Sequence, residues 1–273
     1  MNYGINFSSA EALRIILTIK QSRNRITVMQ TTVKGLIIRE QTTGESDRLV
    51  TLLTDELGLV KAFVRRAKTF KSQNLSSTSL FVYGEFKLYK GKDAYVIDNA
   101  VPLEMFFDLR SDIEKLALAQ YFVQLTYYLG SEEQPSHEML RLVLNALHLL
   151  SKGKKEVKIV KPAYEMRMLC LGGYMPNLLA CYRCGTFESD PMYFDIEEGC
   201  IYCKDCFRNN ALTAPLGVIT ALRYICFTED ITKIFSFKLS DENLDILYDI
   251  SEKYLLSRVE GRLSTLEFYK GLI

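Results

Sequence analysis

From Met29 to Phe107 the apolar positions fall in short runs, many of them β-branched, separated by turn-forming residues. Thr32 to Ile38 is the first run. Leu49 to Leu53 follows the polar turn Thr43-Gly44-Glu45-Ser46-Asp47, and Leu59 to Val64 follows Glu56-Leu57-Gly58. Ser79 to Tyr89 and Ala94 to Val101 flank the turn Lys90-Gly91-Lys92-Asp93. Five short strands in about 80 residues predict a small five-stranded barrel of OB type rather than an open sheet. Phe63 is expected in the barrel core.

The period changes after residue 110. Ser111-Asp112-Ile113-Glu114 reads as a capping box in which Ser111 and Glu114 satisfy each other's backbone amides. Ile113, Leu116, Ala117, Tyr121, Leu125 and Tyr128 then recur at helical spacing until Gly130. A second helix runs from a cap at Ser136 through Leu140, Val143, Leu144, Leu147 and Leu150 to Gly153. A third spans Lys155 to Leu171, with Pro162 marking a kink or a late start, and ends at Gly172-Gly173. Further helices are predicted over Pro215 to Phe227 and Asp241 to Glu260, the latter opened by Ser240.

Between the third and fourth helices lies the sequence CYRCGTFESDPMYFDIEEGCIYCKDC, Cys181 to Cys206. Two Cys-x-x-Cys pairs, Cys181/Cys184 and Cys203/Cys206, enclose 18 residues, within the spacing of a four-cysteine zinc ribbon. Four thiolates complete a tetrahedron and leave no open position, which suits one structural Zn²⁺. Cys200/Cys203 is a second possible register. Cys203/Cys206 is preferred, because Gly199 then opens the hairpin and Cys200 becomes a small buried residue in the strand leading in.

The predicted architecture is therefore multi-domain α+β. An OB-type barrel covers 29–107, and an all-helical domain covers 108–273 with the zinc ribbon inserted at 178–209. Residues 1–28 stand apart. Ala10 to Ile19 is a short apolar run interrupted by Glu11 and Arg14, without the positive leader of a signal peptide. The segment reads as a short appended helix or a start-site artefact.

Composition narrows the function. With 34 basic and 33 acidic residues the net charge is +1, so any basic surface must be local. Cysteines spaced for metal point to a reducing compartment, and no apolar run reaches the length of a membrane span. The clearest charge asymmetry lies between Leu57 and Gly84, where there is no acidic residue but Lys61, Arg65, Arg66, Lys68 and Lys71, with Phe63 and Phe70 interleaved. Such a loop on an OB-type barrel fits single-stranded nucleic acid, where cations follow phosphates and a ring such as Phe70 stacks on a base. A solvated flexible loop is the other reading. Lys34 and Arg39 are expected to add to the basic surface, and Lys152 to Lys161 reads as a solvated helix start or a further contact.

Enzyme signatures are missing. His137 and His148, the only histidines, share a helix face but sit in no zinc-hydrolase pattern, and Gly91-Lys92 and Gly153-Lys154 lack the rest of a phosphate loop. Glu45 and Asp47 read as turn residues beside Arg48. Cys170 and Cys226 read as core residues. The chain is expected not to be an enzyme, and a zinc-ribbon RNA-binding or transcription-associated protein is the alternative class.

A set of local sequences carries a resemblance. Gly44-Glu45-Ser46-Asp47-Arg48 precedes Leu49-Val50-Thr51-Leu52-Leu53-Thr54 and Gly58; the basic Arg65-Arg66-Ala67-Lys68 precedes Lys71-Ser72. Tyr164-Glu165-Met166-Arg167-Met168-Leu169 leads to Gly172-Gly173-Tyr174-Met175-Pro176, then Cys181-x-x-Cys184-Gly185, and finally Arg262-Leu263-Ser264-Thr265-Leu266. In this order, from Met29 onward, the chain resembles the bacterial RecO family of recombination mediators. The resemblance implies a bacterial cytoplasmic, nucleoid-associated protein that binds single- and double-stranded DNA and anneals complementary strands. It also implies help in loading RecA onto DNA coated with single-strand-binding protein (SSB). RecR and the acidic, apolar C-terminal tail of SSB are the implied partners, with Arg141 and Arg167 as candidate cations for the tail. On this reading, chelation should destabilise the helical domain while the isolated barrel still binds DNA.

Overall fold

The computed structural model describes residues 30–43, 47–64, 74–91, 94–207 and 210–273. Five strands build the first part: β1 (Gln30–Thr43), β2 (Asp47–Thr54), β3 (Gly58–Val64), β4 (Tyr83–Lys90) and β5 (Tyr95–Glu104). A single turn of helix, α1 (Asn74–Ser77), lies between β3 and β4. The strands close into a barrel in the order β1-β2-β3-β5-β4, with β3 and β5 parallel and the other pairs antiparallel. Strand alternation fills the interior with Val33, Ile37, Val50, Leu52, Val60, Ala62, Val64, Phe86 and Leu88.

The outer face of the same strands is not all solvated. Leu36, Ile38, Leu53 and Leu59 point away from the barrel axis and, with Phe81 just before β4, join the core of the helical part. That part holds α2 (Ile113–Leu129), α3 (His137–Lys152), α4 (Val157–Leu171), α5 (Leu216–Phe227), α6 (Asp241–Arg258) and α7 (Ser264–Lys270). A single core therefore runs from the barrel wall into the bundle. A free-standing barrel would expose that row of large apolar side chains to water.

The loop after β2 and the α2–α3 connection clasp the two parts. The Leu59 N–H donates to the Ser131 carbonyl (2.9 Å), Glu133 N–H to Leu57 (3.1 Å) and Ser136 N–H to Asp55 (2.9 Å). Asp55 also meets His137 Nδ1 at 2.8 Å. At Gly58 (φ +64°) a Cβ would stand 2.3 Å from the Ser131 carbonyl oxygen, so only glycine fits this crossing.

Several helix ends differ from the sequence reading. The cap of α2 is Asp112, whose carboxylate accepts from the Glu114 and Lys115 N–H groups; Ser111 closes a preceding 3₁₀ turn (Phe107–Ser111) and donates to the Asp108 carbonyl. The carboxylate offers a stronger acceptor to the helix N-terminus than a hydroxyl does. Ser136 occupies the α3 cap position without a side-chain cap bond, because its Oγ donates to Gln134. The α4 helix starts at Val157 and continues through Pro162. The short α7 had no predicted counterpart.

Candidate nucleic-acid interface and cysteine cluster

On β3 the inward residues are Val60, Ala62 and Val64, so Lys61 and Phe63 face outward. Phe63 is half-buried beside Leu49 of β2 and Val96 of β5 and belongs to neither core. The expectation that it is a core residue is thus corrected by strand parity: neighbours on a strand point to opposite faces. Lys61 Nζ lies 2.8 Å from Glu132 Oε1, and this hydrogen bond raises its pKa. Being half-exposed, the pair contributes no more than about 1 kcal/mol and is open to exchange for a phosphate.

Lys34 on β1 is exposed opposite Glu85 and has no ion pair among the described residues. Arg39 is exposed too, and a bulge sets its direction. The β1–β2 register shifts between Ile37 and Arg39, so Ile38 and Arg39 share the outer face. Ile38 enters the interdomain core while the Arg39 guanidinium lies over the Tyr127 ring of α2, 5.2 Å from its centroid. Arg65, Arg66, Lys68, Phe70 and Lys71 follow β3 directly in the chain and lie outside the described residues.

The cysteine cluster is built on a three-stranded sheet of order β7-β6-β8: β6 (Met192–Asp195), β7 (Cys200–Cys203) and β8 (Leu212–Ala214). The first knuckle turns tightly, with Gly185 N–H donating to the Cys181 carbonyl (2.9 Å), and is pinned to β7 by Tyr182 N–H on Ile201 (2.8 Å). The second closes with Cys206 N–H on Cys203 (3.0 Å). The Sγ atoms of Cys181, Cys184, Cys203 and Cys206 all lie within 4.8 Å of one another. Cys200 is instead buried in the main core, paired across the sheet with Asp195.

Four sulfurs at this separation fit a tetrahedral ion. Zn–S bonds of about 2.3 Å require S···S edges of roughly 3.8 Å, and Cys184 and Cys203 stand at 3.6 Å. The Thr186 hydroxyl leads a set of hydrogen bonds that hold the Cys184 thiol down to about 6, whereas hydrogen bonding to Cys184 pushes Cys206 up to about 12.

The ribbon is seated firmly on the bundle. Arg258 Nη2 of α6 donates to the Ile196 and Glu197 carbonyls (3.1 and 2.6 Å), and Arg223 of α5 donates to Leu178 and Phe187 (2.7 and 2.8 Å). Phe194 meets Tyr254 edge-on at 5.4 Å.

Comparison with known proteins decides the family. The family model for recombination protein O, N terminal, matches residues 29–106, and that for recombination protein O, C terminal, matches 110–267. The chain belongs to the RecO family. It is 34% identical over 240 residues to a DNA repair protein RecO of Acetivibrio thermocellus, covering 87% of this chain and 95% of that one. To the proteins of the same name from Alkaliphilus metalliredigens and Dehalococcoides mccartyi it is 26% identical over 241 residues and 30% over 217. These alignments cover 88% and 78% of this chain and 98% and 85% of the respective relatives.

Within this RecO-family chain some predicted roles change. Arg167 was a candidate cation for an acidic tail, yet it is buried in α4 and donates to the Cys226 carbonyl at 2.7 Å. Residues 160–169 are buried on every side of that helix. Arg141 is exposed on α3. Lys161, read as part of a solvated helix start or a further contact, is fully buried between Glu165 (2.8 Å) and Glu252 (2.9 Å). Cys170 and Cys226 hydrogen-bond to each other, which lowers the Cys170 pKa and raises that of Cys226. Both histidines are exposed. The sequence reading missed the Arg39–Tyr127 stack, whose partners are 88 residues apart. It missed the outward turn of Phe63 as well, although the alternation of Val60, Ala62 and Val64 signals it.

Proposed function

We propose that this RecO-family DNA repair protein binds single- and double-stranded DNA along the outer barrel face and anneals complementary strands. With RecR it helps load RecA onto SSB-coated DNA. The observation that carries the reading is the set of outward cations on the barrel, Lys34 and Arg39 on β1 and Lys61 on β3, together with the basic run from Arg65 that follows β3 in the chain. A basic surface lowers the repulsion between two strands by neutralising phosphates, and it does so without reading base edges. No nucleotide hydrolysis or covalent step enters this work, so the protein is not an enzyme. It acts in the bacterial cytoplasm, at the nucleoid; no helix among the described residues is long and apolar enough to cross a membrane. The cysteine cluster holds one structural Zn²⁺, whose role is to fix the two knuckles. Arg141 is the remaining candidate cation for the acidic SSB tail.

The test is annealing of complementary oligonucleotides coated with SSB, followed across a salt series. Fast, salt-sensitive annealing without nucleotide is expected, further stimulated by RecR. Replacing Arg65, Arg66, Lys68 and Lys71 together with alanine should weaken binding evenly across sequences. It should also flatten the salt dependence by up to roughly 3–4 in log–log slope. Binding without annealing would instead favour an RNA-binding or transcription-associated role, and an unchanged slope would remove the basic run from the interface.

A further inference from the structure

Where β1 leaves the barrel beside α2 and the start of α7 there is a cleft of about 300 Å³. It combines three kinds of group. Tyr128 supplies an exposed ring, its centroid 6.2 Å from that of Tyr127 with the planes at 68°, and Tyr127 carries the Arg39 guanidinium. Gln120 and Gln124 supply amides. Gln124 Oε1 accepts from the Thr265 N–H (3.2 Å) and from the Thr265 hydroxyl, which fixes that side chain, and its NH₂ makes no hydrogen bond among the described residues. Gln120, half-exposed, makes no hydrogen bond among the described residues. Arg39 supplies the charge. It forms no ion pair among the described residues, because the one carboxylate in the cleft, Glu40, is engaged by Arg48 at 3.2 Å and by the Leu80 N–H at 3.1 Å.

We propose that this cleft is a nucleobase subsite, taking one unpaired base of a single strand whose phosphates follow the basic barrel face. The inference rests on the single-strand binding proposed above. An unpaired base has a flat apolar face and an edge that both donates and accepts. Tyrosine rings match the face, and glutamine amides, which carry both a donor and an acceptor, match the edge. The Arg39 guanidinium, already stacked on Tyr127, lies at the same mouth to meet the adjoining phosphate. An isolated phosphate would use Arg39 but leave the rings and amides without work. The subsite holds the strand at the junction of barrel and bundle.

The experiment compares binding of oligothymidylate with binding of a same-length abasic sugar-phosphate strand, on the full-length protein and its Tyr128→Leu variant. Tyr128→Leu is expected to weaken oligothymidylate binding about tenfold, the scale of one lost stacking contact. Abasic binding and the salt slope should stay as in the parent, because Arg39 keeps its seat on Tyr127. If Tyr128→Leu lowers the melting temperature enough to cloud the comparison, Gln120→Ala replaces it, with an expected loss of about threefold for oligothymidylate only. Equal losses on both strands, or no loss on either, overturn the subsite while leaving DNA binding intact. Failure of the parent protein to bind any strand would overturn the proposed function itself.

Discussion

Lys161 sits within α4 with no exposed side-chain surface, between the carboxylates of Glu165 and Glu252 and 3.9 Å from the Tyr248 ring centroid. Burial alone would strip its proton, but the two carboxylates outweigh that and raise its pKa. Tyr121 Oη and Ser251 Oγ donate to Glu165 at 2.6 and 2.7 Å, so the remaining lone pairs are met. A charge held this way is expensive to leave unmatched. Lys161→Met is expected to cost about 3–5 kcal/mol, because buried Glu165 loses its cation and Glu252 keeps only Lys270. The urea midpoint of the variant measures it, and adding Glu165→Gln with Glu252→Gln should recover part of the loss. None of this shows in the sequence, where Lys161 closes a lysine-rich stretch that looks solvated. The i,i+4 spacing to Glu165 was there, but it describes a surface pair equally well.

At the scale of elements, the ribbon shows where local spacing suffices and where it does not. The two knuckles are legible because each needs only a Cys-x-x-Cys and a tight turn. The register between Cys200 and Cys206 is decided by the sheet. β7 runs from Cys200 to Cys203, and Gly199 (φ +67°) opens it where a Cβ would come within 2.8 Å of Tyr254 Oη. Strand direction then turns Cys200 into the core and leaves Cys203 and Cys206 to the cluster. Cys206→Ser is therefore expected to lower bound zinc well below one per chain, whereas Cys200→Ala should keep one, as measured by metal analysis of the purified variants. Chelation should likewise lower the melting temperature, since Arg223 and Arg258 hold the bundle to carbonyls of the ribbon. The α2 start and Phe63 mark the opposite case. Serine and aspartate compete for one cap, and a lone phenylalanine has no sequence mark for the face it takes.

Across the whole molecule, two features make the barrel and bundle behave together. One is the clasp around Gly58. Gly58→Ala combines an unfavourable positive φ with a 2.3 Å clash against backbone, and a loss of about 1–3 kcal/mol is expected. The measurement is chemical unfolding monitored for barrel and bundle separately; the variant should split one transition into two. The other is the ionic network joining α4 (Lys161, Glu165), α6 (Glu252) and α7, where Lys270 pairs with Glu252. Burial pushes the Glu252 carboxyl up, but Lys161 and Lys270 together hold it below the ordinary value of 4.5. A carboxyl lowered on folding stabilises the protein above its unfolded pKa and loses that contribution as pH falls through its folded pKa. Stability should therefore drop as pH falls below about 4.5, and Glu252→Gln should flatten that part of the urea-midpoint profile.

The sequence by itself determined what depends on neighbours in the chain. Strand and helix periodicity, the glycines that end α2 and α3, the paired cysteines and the run of cations after β3 all act over a few residues, where pattern and chemistry are read together. Tertiary structure alone decided which side of an element faces what. It sent Leu36, Ile38 and Leu53 from the barrel wall into the bundle core. It buried Arg167 and Lys161 while leaving Arg141 outside, and it brought Arg39 over a ring 88 residues away. The reason is that burial and charge pairing are set by surfaces that meet only after the chain has closed. A lysine or a phenylalanine carries the same letter whether it meets water, a carboxylate or another core.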